Sequence, residues 1–144
     1  MPIRPASADD DLAVIRLAAN CGLTVNPSTE RQLAHSRLFV LATEEQEICG
    51  FALLWLLGTE AELIDLGVDP QMRRLGVGRE LLSFVLNYAQ KTGATEVFLE
   101  VRVGNESARA LYEILQFQIS GRRERYYSDG EDAVLYRCCI AAPV

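Results

Sequence analysis

At 144 residues, 49% hydrophobic and 24% charged, the chain is expected to form one domain (1–144) with a real core, and its composition is not that of a disordered tail. The net charge of −6 is unevenly spread: residues 1–69 carry four arginines against eleven acids, and residues 70–144 carry ten basic residues against nine acids. That balance lacks the basic face of a duplex nucleic-acid binder, and it suits a site that takes a polyanion on one side and a basic peptide on the other.

The opening MPIRPASADDD has neither the basic flank nor the apolar stretch of a signal peptide, so the cytoplasm is the expected compartment. Ile3 to Ala6 reads as a short strand, and Ser7 or Asp9 is positioned to cap the helix that follows, with acids crowding its first turn. Leu12, Ile15, Leu17 and Ala18 give that helix an apolar face, and Gly22 stops it. Pro27-Ser28 opens a second helix, Thr29 to Ser36. Leu38 to Thr43 and Ile48 to Leu57 read as strands joined by the acidic turn Glu44 to Glu47, with Trp55 read as core. The apolar run Phe51 to Leu57 is too short to cross a bilayer, and no membrane association is expected.

Glu60 to Val68 is a third long strand. Asp69-Pro70 and a loop with Arg73 and Arg74 lead to Gly76-Val77-Gly78, where an amphipathic helix begins: Val77, Leu81, Leu82, Val85 and Tyr88 recur at helical spacing. Glycines at a helix mouth let backbone amides approach a ligand, and the first amides of a helix have no intrahelical partner. With Arg73, Arg74 and Arg79 around it, the turn Leu75 to Arg79 reads as a pyrophosphate cradle. No Lys follows either glycine, which argues against a P-loop NTPase. The dinucleotide fingerprint is half met, but Leu81 stands where its third glycine belongs and seven residues separate strand from motif. An ordinary strand-to-helix turn is the plain alternative.

Beyond the helix, which ends near Gly93, Glu96 to Val103 is a strand and Asn105 caps a short helix through Leu115. Phe117 to Arg125 and Ala133 to Ile140 form a closing hairpin around Ser128-Asp129-Gly130. Cys21, Cys49, Cys138 and Cys139 lack metal-site or disulfide spacing and read as buried thiols. The single histidine, His35, makes a Ser–His–Asp hydrolase a poor fit, and no metal is expected. The element order predicts an α/β (α+β) fold: a mixed, mostly antiparallel sheet of six or seven strands, four helices, and one parallel step across the cradle helix.

The run Arg73-Arg74-Leu75-Gly76-Val77-Gly78, after a strand ending Val68-Asp69-Pro70, resembles the acetyl-CoA signature of the GNAT N-acetyltransferases. The likeness continues through LEVRVGNESARALYEILQF (Leu99 to Phe117) and GRRERYYSDGEDAVLY (Gly121 to Tyr136), and covers roughly residues 48 to 137. These segments are similar to the bacterial branch that acetylates the N-terminal alanine of a small-subunit ribosomal protein. The resemblance implies a GNAT fold, acetyl-CoA as acetyl donor, and an acceptor protein N-terminus as partner. A monomer or weak homodimer is expected.

Carried over residue by residue, the resemblance makes Glu100 the general base and Tyr112 the acid that protonates the departing thiolate. Leu66, Gly67 and Val68 would run beside the pantetheine arm, and Asn105 would touch the cofactor. Tyr126 and Tyr127 would wall the peptide groove. Bland readings stand beside these: a solvent-facing acid for Glu100, a core tyrosine for Tyr112, an N-cap for Asn105 and a solvated edge for Arg122, Arg123 and Arg125. Asp129, Glu131 and Asp132 have either those arginines or an arginine near the substrate's N-terminus as partners.

An α-amine of pKa about 7.8 is about 14% neutral at pH 7, against about 0.04% for lysine at about 10.4. That gap, about 3.5 kcal/mol, favours an N-terminal acceptor for a site with one carboxylate base. The branch's aromatic Phe-Pro-Trp-Ser element is missing, however, and the matching stretch reads Val25-Asn26-Pro27-Ser28. Acetylation of a small amine, an aminoglycoside or a lysine therefore stays open, as does a CoA-binding module without catalysis.

Overall fold

The computed structural model describes residues 2–140. Seven strands form one sheet: β1 (Ile3–Pro5), β2 (Ser36–Ala42), β3 (Ile48–Leu57), β4 (Glu60–Val68), β5 (Glu96–Arg102), β6 (Gln118–Arg123) and β7 (Ala133–Cys139). Their order is β1-β2-β3-β4-β5-β7-β6, antiparallel throughout except for the parallel β4–β5 step. The helices are α1 (Asp11–Asn20), α2 (Pro27–Arg31), α3 (Val77–Lys91) and α4 (Glu106–Ile114). The expected mixed sheet with a parallel step across the cradle helix is present.

Two apolar cores explain the layering. On one face, Val77, Leu81, Leu82, Val85 and Ala89 of α3 and Tyr112 of α4 pack on Leu54, Leu63, Val97, Leu99 and Tyr136. On the other, Val14, Leu17 and Ala18 of α1 and Val25 pack on Val40, Phe51 and Leu53. Residues of β2 and β3 enter both cores, which is why β3 reads as a nearly continuous apolar run.

The parallel pairing of β4 with β5 covers only Glu60–Leu63 against Glu96–Leu99. Directly after Leu63, β4 carries a bulge against β3: Leu54 pairs Leu63 and Leu53 pairs Asp65, leaving Ile64 as the extra residue. From there the two halves of the sheet separate, and the β5-facing edge of 64–68 has no ladder partner.

Several local expectations change. The second helix covers Pro27–Arg31 and not Thr29 to Ser36, because Ser36 joins β2 opposite Trp55. The apolar face of α1 is Val14, Leu17 and Ala18, while Leu12 and Ile15 are exposed. Ser7, not Asp9, is the N-cap: it heads a 3-10 turn, Ala8–Asp10, that runs straight into α1, and Asp10 accepts the Ser7 N–H at 2.8 Å and the Arg4 guanidinium at 2.7 and 3.0 Å. Only Cys49 and Cys138 are buried; Cys21 is half-buried and Cys139 exposed. Trp55 is half-buried, its indole N–H donating to Glu30 at 3.1 Å.

Candidate active site

Gly76 is the N-cap of α3, at φ 81°, a left-handed conformation that costs glycine little. It offers no side-chain cap, and the Glu80 N–H makes the first helical turn's bond to the Gly76 carbonyl at 2.9 Å. The amides of Val77, Gly78 and Arg79 therefore have no acceptor within the helix. A Cβ on Gly78 would stand 3.2 Å from Leu111 of α4 and 3.6 Å from Val68, so helix, strand and α4 converge tightly here. Leu75, Arg74 and Arg79 are exposed around the turn. Arg73 turns back: its Nε donates to the Val68 carbonyl at 3.4 Å, which also accepts from the Cys21 thiol at 3.4 Å.

Glu100 is the first β5 residue past the last β4–β5 pair. Its strand neighbours Leu99 and Val101 lie in the α3/α4 core, so alternation turns Glu100 to the α1/α2 face. It is not a bare solvent-facing acid: the Arg123 Nε–H donates to it at 3.1 Å, and it holds the Tyr126 phenol proton, pushing that pKa up. A cleft of about 230 Å³ opens at this point, with Glu62, Phe98, Glu100 and Arg123 in its wall. Burial, then the Glu100 charge, raises the Glu62 pKa.

Tyr112 approaches the same fork from the opposite face. Its ring is 7% exposed and packs against Phe117 and Tyr136 at centroid distances of 5.7 and 6.0 Å. Among the described residues the Tyr112 hydroxyl has no hydrogen-bond partner. Burial first, then the charges of Asp65 and Tyr127, raise its pKa and keep the phenol protonated through the neutral range. Asp65, just past the bulge, pairs with Leu53 of the α1/α2 core and so faces that side. Its own carboxyl is pushed up to about 6 by burial and, second, by Glu30.

Asn105 caps α4, its Oδ1 accepting the Ala108 N–H at 3.2 Å. Tyr126 and Tyr127 meet edge to face at 5.1 Å in the β6–β7 loop. Arg122 pairs with Asp132 at 2.8 Å. Sequence reasoning missed Glu62 and Asp65, whose placement depends on the bulge, and Arg102, whose partners lie 27 and 29 positions away. The described residues hold no group of three or more His, Cys, Asp or Glu suited to a metal ion, and none of their helices is long and apolar enough to cross a membrane.

A sheet split beside a bulged strand, with a glycine-capped helix crossing at the split, is the architecture of an N-acetyltransferase fold. The acetyltransferase (GNAT) family model matches residues 11–117, and the chain belongs to that family. It is 38% identical over 96 residues to the [ribosomal protein bS18]-alanine N-acetyltransferase of Escherichia coli K12, a match spanning 65% of this chain and 65% of that protein. The match thus covers just under two thirds of the relative's length. The crystal structure of the ribosomal-protein-S18-alanine N-acetyltransferase from Escherichia coli superposes with a TM-score of 0.87, at 30% identity, over 99% of this chain and 96% of that one. Ard1 from Thermoplasma volcanium gives 0.85 at 26% identity, over 97% of each chain.

Proposed function

We propose that this protein transfers the acetyl group of acetyl-CoA to a protein N-terminal α-amine, in the first instance the N-terminal alanine of a small-subunit ribosomal protein. The observation that supports the reading is that Glu100 stands one residue past the last β4–β5 pair on one face of the sheet, while Tyr112 is buried in the α3/α4 core on the other. The donor's diphosphate fits the unpaired amides of Val77, Gly78 and Arg79, with Leu75, Gly76, Arg74 and Arg73 around them. Its extended arm fits the open edge of Leu66, Gly67 and Val68, which offers main-chain hydrogen bonds as a missing strand would. Asn105, already a cap, is within the same set.

The acceptor enters from the α1/α2 face, between Glu100 and the tyrosines 126 and 127. Glu100 takes the proton lost by the amine as its nitrogen bonds to the thioester carbonyl carbon. The C–S bond then breaks, and Tyr112 gives its proton to the departing sulfur. Burial keeps the Tyr112 phenol protonated, so the proton is there to give, and its transfer to the thiolate runs uphill unless it is concerted with C–S cleavage. A β4 amide near Val68 is the candidate oxyanion donor, a contribution worth about 2.7–4 kcal/mol where such donors are preorganised. The work takes place in the cytoplasm.

One observation favours a second reading. Val25 is buried and Asn26 caps α2, accepting the Thr29 N–H at 3.3 Å, so this stretch supplies no aromatic wall to the acceptor groove. A lysine or small-amine acceptor is the consequence to test. Thiol release from acetyl-CoA, measured with Ala-starting peptides, Nα-blocked lysine peptides and an aminoglycoside, separates the readings. Turnover with the Ala-starting peptides is expected; turnover confined to either other class overturns the acceptor assignment. Thiol release with none of them, in a protein that still binds acetyl-CoA, would mark a binding module. Glu100→Gln is expected to bind acetyl-CoA normally and to lose about 10²–10⁴ in turnover at pH 7. Full activity removes Glu100 as base.

A further inference from the structure

The tyrosines that face the acceptor stand on the nine-residue loop 124–132, and that loop leaves the largely exposed edge strand β6. Apolar burial therefore does little to fix it. Asp132 ties the far end of the loop, its carbonyl accepting the Val103 N–H at 3.0 Å and its carboxylate the Arg122 side chain at 2.8 Å and the Arg125 N–H at 2.9 Å. The stretch that carries Tyr127 is anchored by Arg102, the last residue of β5. The Arg102 Nη1 donates to Asp129 at 2.8 Å and to Glu131 at 2.9 Å, and the guanidinium carbon lies 4.1 Å from the Tyr127 ring centre. The second Glu131 oxygen accepts the Gly104 N–H at 2.9 Å. A Cβ on Gly104 would come within 2.7 Å of that oxygen, so the position is sized for the contact. Within the loop, Asp129 accepts the Glu131 N–H at 3.0 Å, and the Tyr127 carbonyl accepts the Gly130 N–H at 2.9 Å.

We propose that Arg102 is a positioning residue for acceptor recognition: it buckles loop 124–132 to the end of β5 and so sets the Tyr126–Tyr127 pair beside Arg123, which bonds Glu100. A lone exposed ion pair contributes little. Here one guanidinium joins two acids and an aromatic face, and one of those acids also holds a strand-end amide, so the loop loses several restraints together when Arg102 is removed. The strand carrying Arg102 also carries Glu100 two residues earlier, which couples base and wall through one rigid element. Nothing in the buckle reaches the α3 turn, so donor binding is not expected to depend on it. The kinetic part rests on the proposed function; the structural part does not.

Two measurements test this on the full chain, with Arg102→Gln and, independently, Glu131→Gln. In the free protein, hydrogen exchange at the Tyr127, Gly130 and Glu131 amides should quicken about tenfold or more, with α3 unchanged. In steady state with an Ala-starting peptide, the acceptor KM should rise about tenfold while the acetyl-CoA KM stays put. Arg102→Lys should recover only part of the effect, since an ammonium lacks the fork that reaches both acids. The double variant should be little worse than either single one. Unchanged exchange overturns the buckle, and a common rise in both KM values, or a fall in kcat alone, overturns its acceptor role. If the wild-type protein acetylates no peptide, the proposed function fails, and the exchange result still decides whether Arg102 holds the loop.

Discussion

Two aspartates show how position alone sets the sign of an electrostatic contribution. Asp10, bound by Arg4 and the Ser7 amide, is held at about 2, so the stability it contributes is present above the ordinary value near 4 and lost as pH falls toward 2. Asp65 is the reverse. Its folded pKa of about 6 lies above the unfolded value near 3.9, so the folded state binds its proton more tightly. The Asp65 contribution is greatest below pH 4 and is lost as pH rises through 6. Raising the Asp65 carboxyl from near 4 to about 6 corresponds to about 3 kcal/mol, which partial solvent exposure reduces to about 1–1.5 kcal/mol. Asp65→Asn keeps the shape and removes the charge. Urea unfolding should therefore find the variant more stable by that amount at pH 8, with the difference vanishing near pH 4. An equal or lower midpoint at pH 8 would mean that Asp65 has a partner in solution that compensates its burial.

At the level of elements, the fork depends on how closely β4 lies over Phe51. A Cβ on Gly67 would collide with Phe51 Cε1, and Phe51 is fully buried in the α1/α2 core, so neither can yield cheaply. Gly67→Ala should cost about 1–3 kcal/mol by overpacking, read as a lower unfolding midpoint. Phe51→Leu in the same chain should recover part of the loss; no recovery would place the clash elsewhere. Much of this frame was legible beforehand because it rests on local pattern. The runs of β3 and β4, the period of α3 and the glycines at its mouth are sequence-near signals, and their bounds agree within a residue or two. The second helix was drawn too long because Ser36 is decided by pairing with Trp55 across the sheet, which helix periodicity does not register. Leu12 and Ile15 fit a helical stripe yet face solvent, since the sheet offers α1 a contact only along Val14, Leu17 and Ala18. The partners of Glu100 and Arg102 were out of reach for the same reason: they sit 23 to 29 positions away and meet only once β5, β7 and β6 are stacked side by side.

For the molecule as a whole, the split between β4 and β5 has an energetic consequence. Among the described residues, the half-sheet β1–β4 and the half-sheet β5-β7-β6 share strand pairing at four register positions, and beyond them β4 has no strand partner on that side, the Val68 carbonyl being met instead by Arg73 and Cys21. A ligand that lies along 64–68 and caps α3 supplies hydrogen bonds that the chain itself leaves unmade, and it bridges both halves. Binding to the folded state alone stabilises by about 2.7 kcal/mol at a hundred times Kd. Coenzyme A should accordingly raise the unfolding temperature in a concentration-dependent way. Amide exchange should slow at 64–68 and at Val77, Gly78 and Arg79, and hardly at all in β1 or at the β2 end of the sheet. Protection without that localisation would mean binding elsewhere, and no stabilisation by coenzyme A would mean that the β4 edge and the open helix end serve some other ligand. Arginines 73, 74 and 79 stand exposed around the proposed diphosphate seat, so the stabilisation should weaken as salt is raised.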